Sequence, residues 1–312
     1  VPTALLLLLS GAAVVTVGAI AGMRGIGGFA GERDVAPLAI GAALFGLNLA
    51  SLGAVIVGAG RNTTAVAAGA SVGTFVFMVG IAFGVALLAS KEPVPAPPVA
   101  ATLIPLGALV VGAIAIEDLA ISRFEGAVLL AATVAHALYL LQGPAERTLP
   151  EAVGRDLLRS GSRRILRIPP WLLALIGLAV VYAGASLMIS GSTRLLVRTT
   201  LAPGFVGAAI VGSLASAHRV VDEVRPVRRA EPAVAFGNLF GAVVVFSTGA
   251  LGLAALIRPL VLDSSVAVAY IAGSVLYTVL ATVLLARGRA GRVTGIVLIV
   301  LFGVWIFIAR HF

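Results

Sequence analysis

Ten apolar stretches, each long enough to cross a bilayer, fall into two halves that repeat one another in this chain of 312 residues. Setting residues 18–53 under 184–219, a shift of 166, places Gly18 over Gly184 and Gly25 over Gly191. The same shift places Ala36-Pro37 over Ala202-Pro203, Gly41-Ala42-Ala43 over Gly207-Ala208-Ala209 and Gly46 over Gly212. With two extra residues in the second copy, the register resumes at Gly69 over Gly237 and Gly73 over Gly241. Five spans per copy is an odd number, so the second copy must enter the membrane from the opposite side. The pattern predicts an all-α, ten-helix integral membrane protein made of two inverted five-helix repeats. Many secondary transporters share this plan, with substrate sites near the midplane at discontinuous helices.

Sixty per cent apolar residues, 11% charged residues and a mean hydropathy of +1.12 lie far outside the range of a soluble domain. A helical span needs about 20 apolar residues. Helices are therefore predicted over roughly 4–22, 37–59, 64–88, 99–116, 125–141, 170–190, 203–218, 233–256, 264–286 and 292–309. A closed barrel is excluded, since its strands alternate over segments of about 10 residues. The predicted organisation is a first repeat over 1–142, a linker over 143–169 and a second repeat over 170–312. Leu5–Gly22 reads as a retained helix rather than a signal peptide, because no basic residue precedes it and it belongs to the repeat. With no cysteine, disulfides, thiolate metal sites and cysteine nucleophiles are excluded.

The net charge of +9 is distributed by side. One set of connections carries Arg24, Arg33, Lys91, Arg147, Arg155, Arg159, Arg163, Arg164, Arg167, Arg225, Arg228, Arg229, Arg287, Arg289 and Arg292. The other carries Arg61, Arg123, Arg194, Arg198, Arg258 and Arg310. The positive-inside rule makes the richer side cytoplasmic. A multi-pass cell-membrane protein with both termini extracytoplasmic is expected, with a basic cytoplasmic linker between its halves. Those arginines set topology and meet anionic lipid rather than nucleic acid. The expected partners are thus the lipid bilayer and a small inorganic ion as substrate, with no nucleic acid.

Two stretches of the second half carry a more specific pattern. Gly207–Arg219 reads GAAIVGSLASAHR and Gly237–Ala242 reads GNLFGA; the first copy offers GAALFGLNLASLG over Gly41–Gly53 and GASVGT over Gly69–Thr74. Glu117–Gly126, EDLAISRFEG, precedes an apolar helix ending near Tyr139, and Tyr182-Ala183-Gly184-Ala185 is followed by Ser190-Gly191-Ser192. Together these resemble the alpha repeats of the cation/calcium exchanger superfamily, which includes sodium/calcium and proton/calcium antiporters. In that family a helix reading G-x4-A-x-G-T-S-x-P-E is followed by one reading G-N-x2-G-S-N, and an acidic S-R-x-E-G turn precedes the fifth helix. The resemblance implies a transport path lined by the second, third, seventh and eighth spans, with the first and sixth moving against them.

The resemblance also shows what is missing. Calcium takes six to eight oxygens, usually with carboxylates among them, and in the family the glutamate of each P-E pair supplies that charge. Those positions here read Leu52-Gly53 and His218-Arg219, and a shifted gap brings Ser51 rather than Gly53 to the site. The Ser of T-S-x-P-E becomes Ala50 and Ser216, the Ser of G-S-N becomes Thr74 and Ala242, and one turn further stand Met78 and Phe246. Ser216, Thr74 and Asn238 persist from the family's polar pattern, with Asn48 and Ser51 as local additions. An unpaired guanidinium about 4 Å from calcium would oppose it by roughly 8 kcal/mol at an effective dielectric of about 20. Micromolar binding is worth about the same amount.

His218 and Arg219 have three readings. Arg219 ends its helix and snorkels to the cytoplasmic interface, or it is a tethered cation held by Asp222 or Glu223 three and four residues on, or the pair lines a site for an anion. Asp222 and Glu223 are in turn either candidate cation ligands or a solvated cluster with Arg225, Arg228 and Arg229. The candidate substrate path is therefore Asn48, Ser51, Thr74, Ser216, His218, Arg219 and Asn238, with no metal assigned. His136 reads as a packed residue, and Glu117, Asp118 and Glu125 as an external turn. Gly69 and Gly73, like Gly237 and Gly241, form small-residue faces for close helix approach. No phosphate loop, H-E-x-x-H or hydrolytic triad is present, so neither an enzyme nor a cofactor is expected.

Overall fold

Proline opens three helices of the second half. Pro170, Pro203 and Pro232 each sit in a first turn, where a missing N–H forfeits no intrahelical bond and φ is already helical. The computed structural model describes residues 2–31, 48–142 and 168–311. The first half runs α1 (Pro2–Gly31), α2 (Leu49–Gly60), α3 (Thr64–Ala89), β1 (Val94–Pro95), α4 (Val99–Ala115), β2 (Ala120–Ile121) and α5 (Arg123–Gln142). The second runs α6 (Pro170–Leu196), α7 (Pro203–Ser216), α8 (Arg219–Arg228), α9 (232–257), β3 (Leu260–Val261), α10 (Ser264–Arg287), β4 (Arg289–Ala290) and α11 (Arg292–His311). Wide π-helical turns interrupt α3 at Met78–Ala82, α7 at Val206–Gly212 and α9 at Val245–Gly249.

Among the described residues, α1, α3, α6, α9, α10 and α11 are each long and apolar enough to cross a membrane. The α7–α8 pair makes a seventh if counted as one broken span; α2 and α4 are apolar but shorter. Several boundaries differ from expectation; α6, for one, runs to Leu196 rather than residue 190. The first helix continues to Gly31 instead of stopping near residue 22, carrying Arg24 with it. The expected 203–218 helix stops at Ser216 and turns by 52° into α8. The bend has a physical reason: Arg219, Glu223, Pro226 and Val227 share one buried face of α8, and turning lays that face on α3 and α9 while Arg225 and Arg228 stay outside. The expected start of the second span at 37–47 and nearly all of the linker at 143–169 lie outside the described residues.

Burial separates the helices into layers. The apolar windows of α3 and α9 are 78% buried within the protein, against 33% for α1, α6 and α11, so α3 and α9 form the centre and the others face outward. The α1–α6 contact is built on glycines seven apart. Gly11 lies against Gly184 and Met188, Gly18 against Gly177 and Val181, and Gly25 against Pro170 and Ala174. Partners descend in α6 as they ascend in α1, so the two helices are antiparallel. A Cβ on Gly25 would lie 2.2 Å from the Ala174 nitrogen and one on Gly177 2.2 Å from the Gly22 nitrogen, so backbone meets backbone along the seam. The Gly69 and Gly73 face of α3 meets α7 in the same way, at Gly204 and Ala208.

Two short ribbons tie connections together. β1 pairs antiparallel with β4 (Val94↔Ala290), and β2 with β3 (Ala120↔Val261). Beside the second ribbon, Asp263 caps α10 by accepting from the Val266 N–H, and also accepts from the Gly204 N–H in the first turn of α7 at 2.8 Å. One carboxylate therefore fixes two helix starts.

Candidate exchanger site

The break between α7 and α8 and the start of α2 meet inside the protein. Asn48 precedes α2 in an extended conformation and its side-chain oxygen accepts from the Ser51 N–H at 3.4 Å, as an N-cap does. Its Nδ2 donates to Ser51 Oγ at 2.8 Å and to Ser216 Oγ at 3.2 Å, and the two hydroxyls lie 3.0 Å apart. All three residues are buried. The candidate residues Asn48, Ser51 and Ser216, from opposite halves of the chain, form one neutral hydrogen-bonded cluster. Gly53 does not face it, since a Cβ there would meet Val181 of α6 at 2.4 Å.

A second cluster begins just beyond the bend. Arg219 is 5% exposed and donates from Nη1 to Asp222 Oδ2 at 3.3 Å, while Asp222 remains 36% exposed. Glu223 is fully buried, with Arg219, Asp222 and the Asn238 amide as its electrostatic neighbours. Among the described residues, neither carboxylate oxygen of Glu223 nor Asn238 Nδ2 completes a well-formed hydrogen bond. His218 lies half-buried in the bend, and its near neighbours include the Ala215 backbone, Arg219 and Asp222. Of the three readings of Arg219, the geometry fits the tethered one: Arg219 starts α8, is buried and bonds Asp222. Glu223 is not part of a solvated cluster, because the i, i+4 spacing places it on the same inward face as Arg219.

Thr74 is buried, but its hydroxyl donates to the Ala70 carbonyl of its own helix at 2.8 Å and joins neither cluster. Ala50, Met78, Ala242 and Phe246, at the positions of other family ligands, are all buried apolar side chains. Among the described residues no three His, Asp or Glu side chains converge as metal ligands would. Sequence reasoning missed Ser71, which donates to the Phe246 carbonyl at 2.7 Å and links the two central helices. It also missed Thr133 and Thr248, whose hydroxyls lie 2.7 Å apart. Ser71 lies between Gly69 and Gly73, and that spacing was the available signal.

Residues 169–310 match the family model for the sodium/calcium exchanger protein. The crystal structure of the H+/Ca2+ exchanger CAX superposes with a TM-score of 0.74 at 17% identity, covering 99% of this chain and 85% of that one. The chain has the cation/calcium exchanger fold. The sodium-calcium exchanger NCX_Mj, soaked with 10 mM Na+ and zero Ca2+, superposes at TM-score 0.61 and 19% identity over 98% of both chains. The same protein soaked with 2.5 mM Na+ and 10 mM Sr2+ gives 0.59 and 20%, covering 97% of this chain and 98% of that one. At such identities the likeness is one of fold. No curated protein sequence matches the chain.

Proposed function

We propose that this exchanger-fold protein is a secondary membrane transporter with an altered ion site, whose cargo is not calcium. It is built as two inverted five-helix repeats, 1–142 and 170–312, joined by a cytoplasmic basic linker at 143–169, with both termini outside the cell membrane. The antiparallel glycine seam supports the inverted arrangement. A contact of Gly11 with Gly184 becomes, after the 166-residue shift, the contact of Gly177 with Gly18, and both are present. The observation that carries the functional reading is the Asn48–Ser51–Ser216 cluster, neutral side chains bonded to one another, while the positions where the motif calls for two carboxylates read Ser51 or Gly53 and Arg219. A neutral amide and two hydroxyls supply no charge to offset the dehydration of a divalent ion. Arg219, three residues beyond Ser216, adds a guanidinium bonded to Asp222, with Glu223 buried beside it.

A second reading is favoured by the same closure. Because the three side chains satisfy one another, a transport-inactive membrane subunit with this fold fits the geometry too. Flux separates the two. Purified protein in liposomes should move sodium or protons down an imposed gradient, dependent on a counter-ion and weakened by Ser216→Ala, with no calcium uptake. Counter-ion-dependent calcium flux would sink the altered-site reading, and no flux of any ion would leave the inactive one.

A further inference from the structure

We propose that the basic cavity beside the β1–β4 ribbon binds a phosphate-bearing anion. The connection after α3 reads Ser90-Lys91-Glu92-Pro93 and the one around β4 reads Arg287-Gly288-Arg289-Ala290-Gly291-Arg292. They lie far apart in sequence and are brought together by three contacts. Pro95 pairs with Arg289 in the ribbon, the Ala96 N–H donates to the Gly288 carbonyl at 2.9 Å, and Arg292 Nε donates to the Ser90 carbonyl at 3.2 Å. Gly288, at φ 61°, makes the left-handed turn that ends α10 and starts β4. The result is a cavity of about 740 Å³ lined by Lys91, Arg287, Arg289 and Arg292, with Glu92 as its one acid.

Its charge is not compensated from within. Among the described residues none of these five side chains forms an ion pair, even though Glu92 shares the cavity with four cations. Four basic groups around a volume typical of a ligand site, about 300–1,000 Å³, suit an anion with several oxygens. Guanidinium forks match phosphate geometry two bonds at a time. Residues Arg292–Thr294 in the first turn of α11 also line the cavity. Exposed Leu88, Leu285, Val293 and Ile296 stand within a turn of the basic residues, so the cavity sits where lipid-facing helix flank meets a charged rim. A phosphate can reach that level as a lipid headgroup or from solution.

The test uses the full chain in nanodiscs, with two probes. In the first arm, phosphatidylglycerol retained after exchange into phosphatidylcholine is counted by mass spectrometry. In the second, inorganic pyrophosphate is titrated calorimetrically against protein in phosphatidylcholine alone. Each is repeated on Arg289→Gln, on Arg289→Gln/Arg292→Gln and on a control, Arg194→Gln/Arg198→Gln, which neutralises arginines at the end of α6. Retention or binding should fall about fivefold for each neutralised cavity residue and stay unchanged in the control. Loss in the first arm identifies a headgroup as the ligand; loss in the second identifies a soluble phosphate. Arg289 makes no side-chain hydrogen bond among the described residues, so that variant keeps the test valid if Arg292→Gln fails to fold. No preferential retention and no pyrophosphate heat, or an equal loss in the control, overturns the proposal.

Discussion

Ser51 Oγ lies 3.0 Å from Ser216 Oγ, and the Asn48 amide donates to both. These residues come from the two halves of the chain, at the start of α2 and the end of α7, so each half completes the other's hydrogen bonds. Removing the Ser216 hydroxyl leaves a buried amide N–H and a buried hydroxyl short of a partner. Ser216→Ala should cost about 1–2 kcal/mol and lower the melting midpoint in detergent. Thr74→Val, which removes a hydroxyl bonded only within its own helix, should cost under about 1 kcal/mol. Equal losses for the two variants would show that the cluster has no special standing.

Calcium should not stabilise the detergent-solubilised protein, because the positions expected to supply its carboxylates hold Ser51 or Gly53 and His218-Arg219. Thermal unfolding with and without millimolar calcium measures this directly. A saturable rise in midpoint that disappears in Glu223→Gln or Asp222→Asn would instead make those acids cation ligands.

Arg219 and Glu223 should behave as a coupled buried pair. Arg219→Met leaves Glu223 without its cationic neighbour and should cost about 3 kcal/mol or more. The double variant Arg219→Met/Glu223→Gln should recover most of that loss. Asp222→Asn should cost under about 1 kcal/mol, since Asp222 is 36% exposed and solvent screens the pair. Additive losses in the double variant would refute the coupling.

The glycine seam predicts opposite outcomes for one kind of substitution. Gly177→Ala and Gly18→Ala place a methyl 2.2 and 2.6 Å from backbone nitrogen of the facing helix. Each should destabilise the protein by about 1–3 kcal/mol or abolish its recovery from the membrane. Gly303→Ala in α11 meets nothing within 4 Å and should be neutral or raise stability by about 0.5–1 kcal/mol. Midpoints from one thermal assay compare the three.

Hydropathy and matched glycines made the membrane class, the helical content and the likeness to exchangers legible without coordinates, because burying apolar helix in lipid depends on local sequence alone. The same reading named Asn48, Ser51 and Ser216, which the structure brings into one hydrogen-bonded cluster. It could not tell Ser51 from Gly53 as the residue facing Ser216, nor see Ser71 linking α3 to α9, because both depend on which helix faces which. Arg219 and Glu223 belong with these. Their i, i+4 spacing puts them on one side of a helix, but only the 52° bend after Ser216 and the packing of α8 on α3 and α9 turn that side inward. Local composition determines that a segment is helical and apolar; the direction in which a polar face points is decided by neighbours far away in the chain.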